Sequence, residues 1–84
     1  MKKIRGYTLS YCPWCRKTKK FFADHGLPCE FVDYDLAEPK EQARIDKEMS
    51  KAGGGIAFPF VVIDDVAVVG YNPARWRELL NLKD

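Results

Sequence analysis

Ser10-Tyr11-Cys12-Pro13-Trp14-Cys15-Arg16-Lys17 sets two thiols either side of a Pro-Trp pair, and the reading of the whole chain turns on it. The apolar run from Ile4 to Leu9 precedes the pair, and a basic, apolar-striped run from Pro13 to His25 follows, so the thiols fall where a strand turns into a helix. A cysteine at the N-cap faces unpaired backbone N–H groups and the positive end of the helix dipole, which favour thiolate over thiol at Cys12. Thiolate is the nucleophile of disulfide exchange. Pro13 suits the first helical position, where no N–H is needed and φ is already helical. Cys15, one turn further in, can reach a mixed disulfide formed on Cys12 and resolve it.

The remaining composition narrows the class of chemistry. A chain of 84 residues, with 46% hydrophobic and 31% charged residues, has the makeup of one small globular domain, residues 1–84, with a single core. No apolar run approaches the ~20 residues of a membrane helix, and Met1-Lys2-Lys3-Ile4 leads into a short strand, so the expectation is a cytoplasmic protein that engages no membrane. A formal net charge of +2 is too small to argue for nucleic-acid binding. Three cysteines cannot close a disulfide framework, and a CxxC pair in this context points to redox or metal chemistry.

Taken in order, residues 3–10 read as a short buried strand, weakened in propensity by Gly6, and residues 13–25 as a helix stopped by Gly26. Cys29 to Leu36 alternates apolar and acidic residues and reads as a second strand, parallel to the first across a right-handed βαβ crossover. Ala37 to Ala52, with Pro39 near its start and Ile45, Met49 and Ala52 at helical spacing, reads as an amphipathic helix. Gly53-Gly54-Gly55 breaks it, and a permissive connection is favoured there over an anion-binding nest. Phe58 to Ile63, the turn Asp64-Asp65 and Val66 to Val69 form a hairpin. Asn72 caps a last helix with Pro73 at its first position and Trp76, Leu79, Leu80 and Leu82 as its apolar side.

This β-α-β-α-β-β-α order, with CPWC after the first strand, Phe58-Pro59 opening the hairpin and a Gly70-Tyr71-Asn72-Pro73 turn into the last helix, resembles the glutaredoxins and related thioredoxin-fold redoxins along essentially the whole chain. The resemblance implies an α/β thioredoxin-like fold, a four-stranded mixed sheet flanked by three helices. It also implies that the Phe58–Pro59 peptide is cis and lies against the active-site sulfur, leaving the Phe58 backbone to pair with a bound substrate as a strand would. Two family features are missing. Glutathione-using members carry a basic residue three positions before the first cysteine, where this chain has Leu9, and an aspartate shortly after a glycine pair, where it has Tyr71, Asn72 and Pro73. The Gly-Tyr-Asn-Pro turn is similar to the Gly-Phe-Arg-Pro turn of the NrdH-type redoxins, which are recharged by thioredoxin reductase, whereas CPWC is closer to the glutaredoxin CPYC. The electron source stays open between glutathione and a flavoprotein reductase.

The expected activity is therefore that of a monomeric thiol–disulfide oxidoreductase acting on protein disulfides, with Cys12 and Cys15 catalytic and no metal or resident organic cofactor. Tyr11, Pro13, Trp14, Phe58, Pro59, Gly70 and Tyr71 are the expected substrate-binding residues, with Trp14 exposed as a docking surface. Of the basic run Arg16, Lys17, Lys19 and Lys20, Arg16 and Lys17 are singled out to stabilise the thiolate, against the reading of a merely solvated helix face. A zinc site would need Cys29 and His25, both expected at the far end of the first helix. Cys29 reads as a small hydrophobe and His25 as a partner for the helix C-terminus. A different class of function, carriage of an iron–sulfur cluster shared between two subunits through the first cysteine and glutathione, is the alternative, disfavoured by the stiffness of Pro13.

Overall fold

Whether a strand passes through or skirts the sheet is decided by where its apolar side chains must go, and β3 (Phe60–Ile63) has them on both sides. All four of its residues are buried, so it runs through the middle. The computed structural model describes residues 3–53 and 55–82. Around β3 lie β1 (Ile4–Thr8), β2 (Glu30–Asp33) and β4 (Val66–Val69), with helices α1 (Pro13–Asp24), α2 (Pro39–Lys51) and α3 (Pro73–Leu80). The strand order is β2-β1-β3-β4, with β1 parallel to β2 and the other two pairings antiparallel. This is the expected mixed sheet in the expected element order.

The period-2 alternation of the central strands sorts the core into two halves. Ile4, Val61 and Ile63 point to one face, where they meet Phe21 and Phe22 of α1 and Trp76 of α3. Tyr7, Phe60 and Val62 point to the other, where they meet Ile45 and Met49 of α2. Phe22, Trp76, Ile45 and Met49 are fully buried. Trp76 is ringed by Phe21, Phe22 and Tyr71, with centroids 5.2 to 5.5 Å away. On the α2 face, the Tyr7 hydroxyl donates to Glu48 at 2.6 Å and Arg5 pairs with the same carboxylate at 2.5 Å, tying β1 to α2.

Two local departures from the sequence reading have physical causes. The expected strand over residues 29–36 pairs only from Glu30 to Asp33, and Tyr34–Leu36 forms a 3-10 turn instead. The turn is held from outside the sheet. The Tyr34 hydroxyl donates to Asp46 at 2.7 Å, Gln42 donates to the Tyr34 carbonyl at 2.8 Å, and the Ser10 N–H donates to Asp35 at 2.8 Å. Likewise the ladder of β3 begins at Phe60, after a cis Phe58–Pro59 peptide. Of the glycine run, Gly54 lies outside the described residues.

Gly6, which lowers strand propensity, is required by packing. A Cβ there would stand 2.5 Å from the Phe60 carbonyl oxygen and 2.7 Å from the Phe31 ring. Crowding against backbone in the middle of the sheet cannot be relieved by a rotamer change. Gly6→Ala is expected to destabilise the fold by about 1–3 kcal/mol through overpacking. Equilibrium urea denaturation reads this as a lower midpoint at unchanged slope, and a midpoint equal to that of the parent would show that β1 and β3 part easily.

Candidate active site

The chain leaves β1 at Thr8 and must turn within a few residues to start α1. The Cys12 N–H bonds the Leu9 carbonyl at 3.2 Å, and the Arg16 N–H bonds the Cys12 carbonyl at 3.1 Å as the first helical bond. Cys12 is thus the N-cap, extended at φ −91° and ψ 121°, with Pro13 at the first helical position. Ser10 is pinned at the same corner, since both its N–H and its hydroxyl donate to Asp35. The corner is fixed from two sides before the helix begins.

Geometry separates the two thiols. Cys12 is half-buried at the rim, whereas Cys15 is 1% exposed and its Sγ accepts the Leu9 N–H at 3.3 Å. No capping bond of ordinary geometry joins the neutral Cys12 side chain to its turn. Partial burial pushes its thiol up, but the Cys15 N–H, the Cys15 thiol and the Trp14 N–H favour the ionised sulfur and bring the net value below that of an ordinary thiol. Burial pushes the Cys15 thiol up to about 11; the Leu9 N–H pulls against this, and the Cys12 sulfur adds to it. A dithiol split in this way has one sulfur that is ionised readily and one that is kept as a proton donor beside it.

An open groove of about 320 Å³, lined by Trp14, Phe58, Pro59 and Tyr71, adjoins the N-terminal turn of α1. Trp14 is 52% exposed and its ring lies 5.0 Å from that of Tyr71, while Tyr71 in turn meets Trp76 edge-on and so ties the groove to the core. On the other side Phe58 packs against Tyr34 at 5.2 Å. The Gly70 N–H donates to the Pro59 carbonyl at 2.8 Å, which brings the Gly70-Tyr71 turn against the Phe58-Pro59 segment. Neither the N–H nor the carbonyl of Phe58 has a hydrogen-bond partner among the described residues. Of the expected substrate-binding residues, Trp14, Phe58, Pro59, Gly70 and Tyr71 are brought together here, with Pro13 at the helix tip; Tyr11 stands outside, 70% exposed.

The residues of the basic run have different surroundings. Arg16 is exposed, and the Lys17 ammonium lies 4.5 Å from the centre of the Trp14 ring, a cation–π contact. The groups that favour the Cys12 thiolate are amides and a thiol, with neither Arg16 nor Lys17 among them. The basic residue that the sequence reading passed over is Lys19, whose Nζ is 2.9 Å from Asp33 and whose charge favours the ionised form of Cys15. Its position, one helical turn after Cys15, was the available signal. At the other end of α1, the His25 ring meets the Phe21 carbonyl at 2.7 Å, and Cys29 packs beside Ile4 and the first core cluster. No group of three or more His, Cys, Asp or Glu suited to a metal ion occurs among the described residues.

Similarity to known proteins agrees with this arrangement. A family model described as Glutaredoxin matches residues 4–68. The chain belongs to the glutaredoxin family. A glutaredoxin-like 8.6 kDa protein in the rubredoxin operon of Clostridium pasteurianum is 31% identical over 77 residues, spanning 92% of this chain and 96% of that one. The crystal structure of the glutaredoxin from Methanosarcina mazei Go1 superimposes with a TM-score of 0.85 at 37% identity, covering 93% of this chain and 77% of that one. Methanoredoxin from Methanosarcina acetivorans gives 0.85 at 39% identity, with 93% and 83% covered. Glutaredoxin membership and the exposed CxxC turn together support thiol–disulfide chemistry in general.

Because the Cys15 thiol is one of the donors to Cys12, Cys15→Ala is expected to raise the value at which Cys12 ionises. The pH profile of Cys12 alkylation by iodoacetamide should then move to higher pH than in the parent. Superimposable profiles would mean that the backbone amides alone set the acidity of Cys12.

Proposed function

We propose that this glutaredoxin is a thiol–disulfide oxidoreductase that reduces protein disulfides by a dithiol mechanism, working as a monomer in the cytoplasm. The observation that carries the reading is the split between the two thiols, an acidic Cys12 at the helix tip that also carries Trp14 of the aromatic groove, and a buried Cys15 in the same turn.

In the proposed cycle the Cys12 thiolate attacks one sulfur of a substrate disulfide, forming a mixed disulfide and releasing the other sulfur as a thiolate, which takes a proton from water. Cys15 then loses its proton and attacks the Cys12 sulfur. The Cys12–Cys15 disulfide forms, the bond to the substrate breaks, and the second substrate sulfur leaves with that electron pair. Two electrons have passed from the dithiol to the substrate. They are replaced by two glutathione molecules, which leave as glutathione disulfide, or by a thioredoxin-reductase-type flavoprotein.

The groove favours a polypeptide substrate. Its lining is aromatic and apolar, and the unpartnered backbone of Phe58 offers strand-like pairing to an extended segment. The positions at which glutathione-using relatives present charge to the tripeptide are Leu9 and the Tyr71-Asn72-Pro73 turn. The same deficit removes the glutathione that a bridged iron–sulfur cluster would need as its second ligand, so cluster carriage is not favoured.

Cys12→Ser is expected to abolish reduction of a protein disulfide such as that of insulin, while Cys15→Ser traps mixed disulfides visible by non-reducing electrophoresis. Equal residual activity in both variants would remove the dithiol mechanism. The missing charges predict slow turnover in a glutathione-coupled hydroxyethyl disulfide assay at low millimolar glutathione. Brisk turnover there would make glutathione the electron source instead.

A further inference from the structure

A resolving thiol has to lose its proton before it can attack, and the burial of Cys15 disfavours its thiolate. The groups that bear on this come from three elements. Cys12 caps the same helix. Lys19 lies one turn after Cys15 on the same helical face, with Cβ atoms about 5–6 Å apart at that spacing. Asp33 at the end of β2 and Asp35 in the turn after it both feel the Lys19 charge, which helps to hold their carboxyls below the usual range.

These residues are linked through the end of β1. The Lys19 Nζ is 2.9 Å from Asp33 Oδ1, and the Thr8 hydroxyl donates to the same oxygen at 2.5 Å. Thr8 is fully buried and faces Asp33 across the β1–β2 pairing. The next residue, Leu9, gives its N–H to Cys15 Sγ. Cys15 is thus held by the strand end, and the lysine one helical turn along from it is tethered to the neighbouring strand. The Lys20 ammonium, by contrast, is spent on Asp24 at the exposed face, 2.9 Å away.

We propose that Lys19, tethered to Asp33, which Thr8 holds in turn, is the positioning residue that speeds release of the substrate by Cys15. The inference rests on the dithiol reading above. In the step concerned, Cys15 gives its proton to water, the lysine cation stabilises the resulting thiolate, the Cys15–Cys12 bond forms and the substrate sulfur departs with the electrons of the broken bond. Asp33 is the anchor and not the base. Its Oδ1 already accepts from Thr8 and Lys19, and those two bonds hold its carboxyl below the usual carboxylate range, so it has little tendency to take a proton.

Stopped-flow reaction of the reduced protein carrying Cys29→Ser, the background for every variant here so that only two thiols remain, with 5,5′-dithiobis(2-nitrobenzoate) separates the two steps. Attack by Cys12 releases the first thionitrobenzoate, and attack by Cys15 on the mixed disulfide releases the second. In Lys19→Met the first phase should keep the parent's pH profile, which also reports an intact fold. The second phase should slow roughly three- to ten-fold at neutral pH, the size expected for one partly screened charge a helical turn away. Its profile should shift to higher pH, and Lys19→Arg should restore the parent rate. As a second readout, the Cβ chemical shift of Cys15, followed by carbon NMR against pH, should titrate later in Lys19→Met than in the parent. Second-phase profiles and Cys15 titrations that superimpose on the parent's would overturn the proposal. A second phase that persists in Cys15→Ser would instead sink the dithiol reading, so the two failures are told apart.

Discussion

The structure depends on a single constraint: a helix has to begin within four residues of the end of a central strand, with two sulfurs in its first turn. A helix N-terminus leaves backbone N–H groups without partners, and here the outer sulfur is what they face. The inner sulfur is carried by the same turn into the space between α1 and the sheet, where it meets the Leu9 amide and almost no water. One corner of backbone therefore makes two chemically identical side chains unequal. The groups that lower the first are backbone amides and the second thiol.

Such a corner holds its shape only if both of its sides are immobile. β1 is paired on both edges and clamped by core on both faces, through Ile4 toward α1 and α3 and through Tyr7 toward α2. Gly6 lets the Phe31 ring and the Phe60 carbonyl close over the strand where any other residue would hold them off. α1 is fixed by Phe21 and Phe22 against Trp76, and the turn between them by Ser10 on Asp35. The exposed aromatics around Cys12 are backed by this frame as well: Tyr71 touches Trp14 on its outer side and Trp76 on its inner side. A groove built in this way is largely pre-formed, so ordering it adds little to the cost of binding.

Much of this was legible in the sequence because it depends on local rules. The N-cap at Cys12, Pro13 at the first turn, the Asn72-Pro73 start of α3 and the alternating core strands follow from propensities that act within a few residues. The cis Phe58–Pro59 bond came from family resemblance alone. What escaped the sequence reading depends on contacts between distant residues. The strand after Cys29 ends early because Asp46, Gln42 and Ser10, each from another segment, claim Tyr34 and Asp35. Gly6 reads as a weakness until Phe31 and Phe60 are seen across from it. Four basic residues in one run look equivalent in sequence. Only the β1–β2 register, which sets Thr8 opposite Asp33, separates Lys19 from the rest.

The same register bears on how selectivity and rate divide in the proposed reaction. A net charge of +2 gives little long-range field, and the Lys17 cation lies against the Trp14 ring, so recognition at the groove acts at short range through aromatic surface and the free Phe58 backbone. Those contacts grip the substrate before and after the first exchange alike, and therefore do not help it to leave. In the proposed cycle departure comes instead from the buried side, through attack by Cys15 on the mixed disulfide. Placing binding groups on the rim and the Thr8–Asp33–Lys19 contacts beneath it lets the two halves of the cycle be altered separately, since a change to the aromatic lining leaves the environment of Cys15 in place.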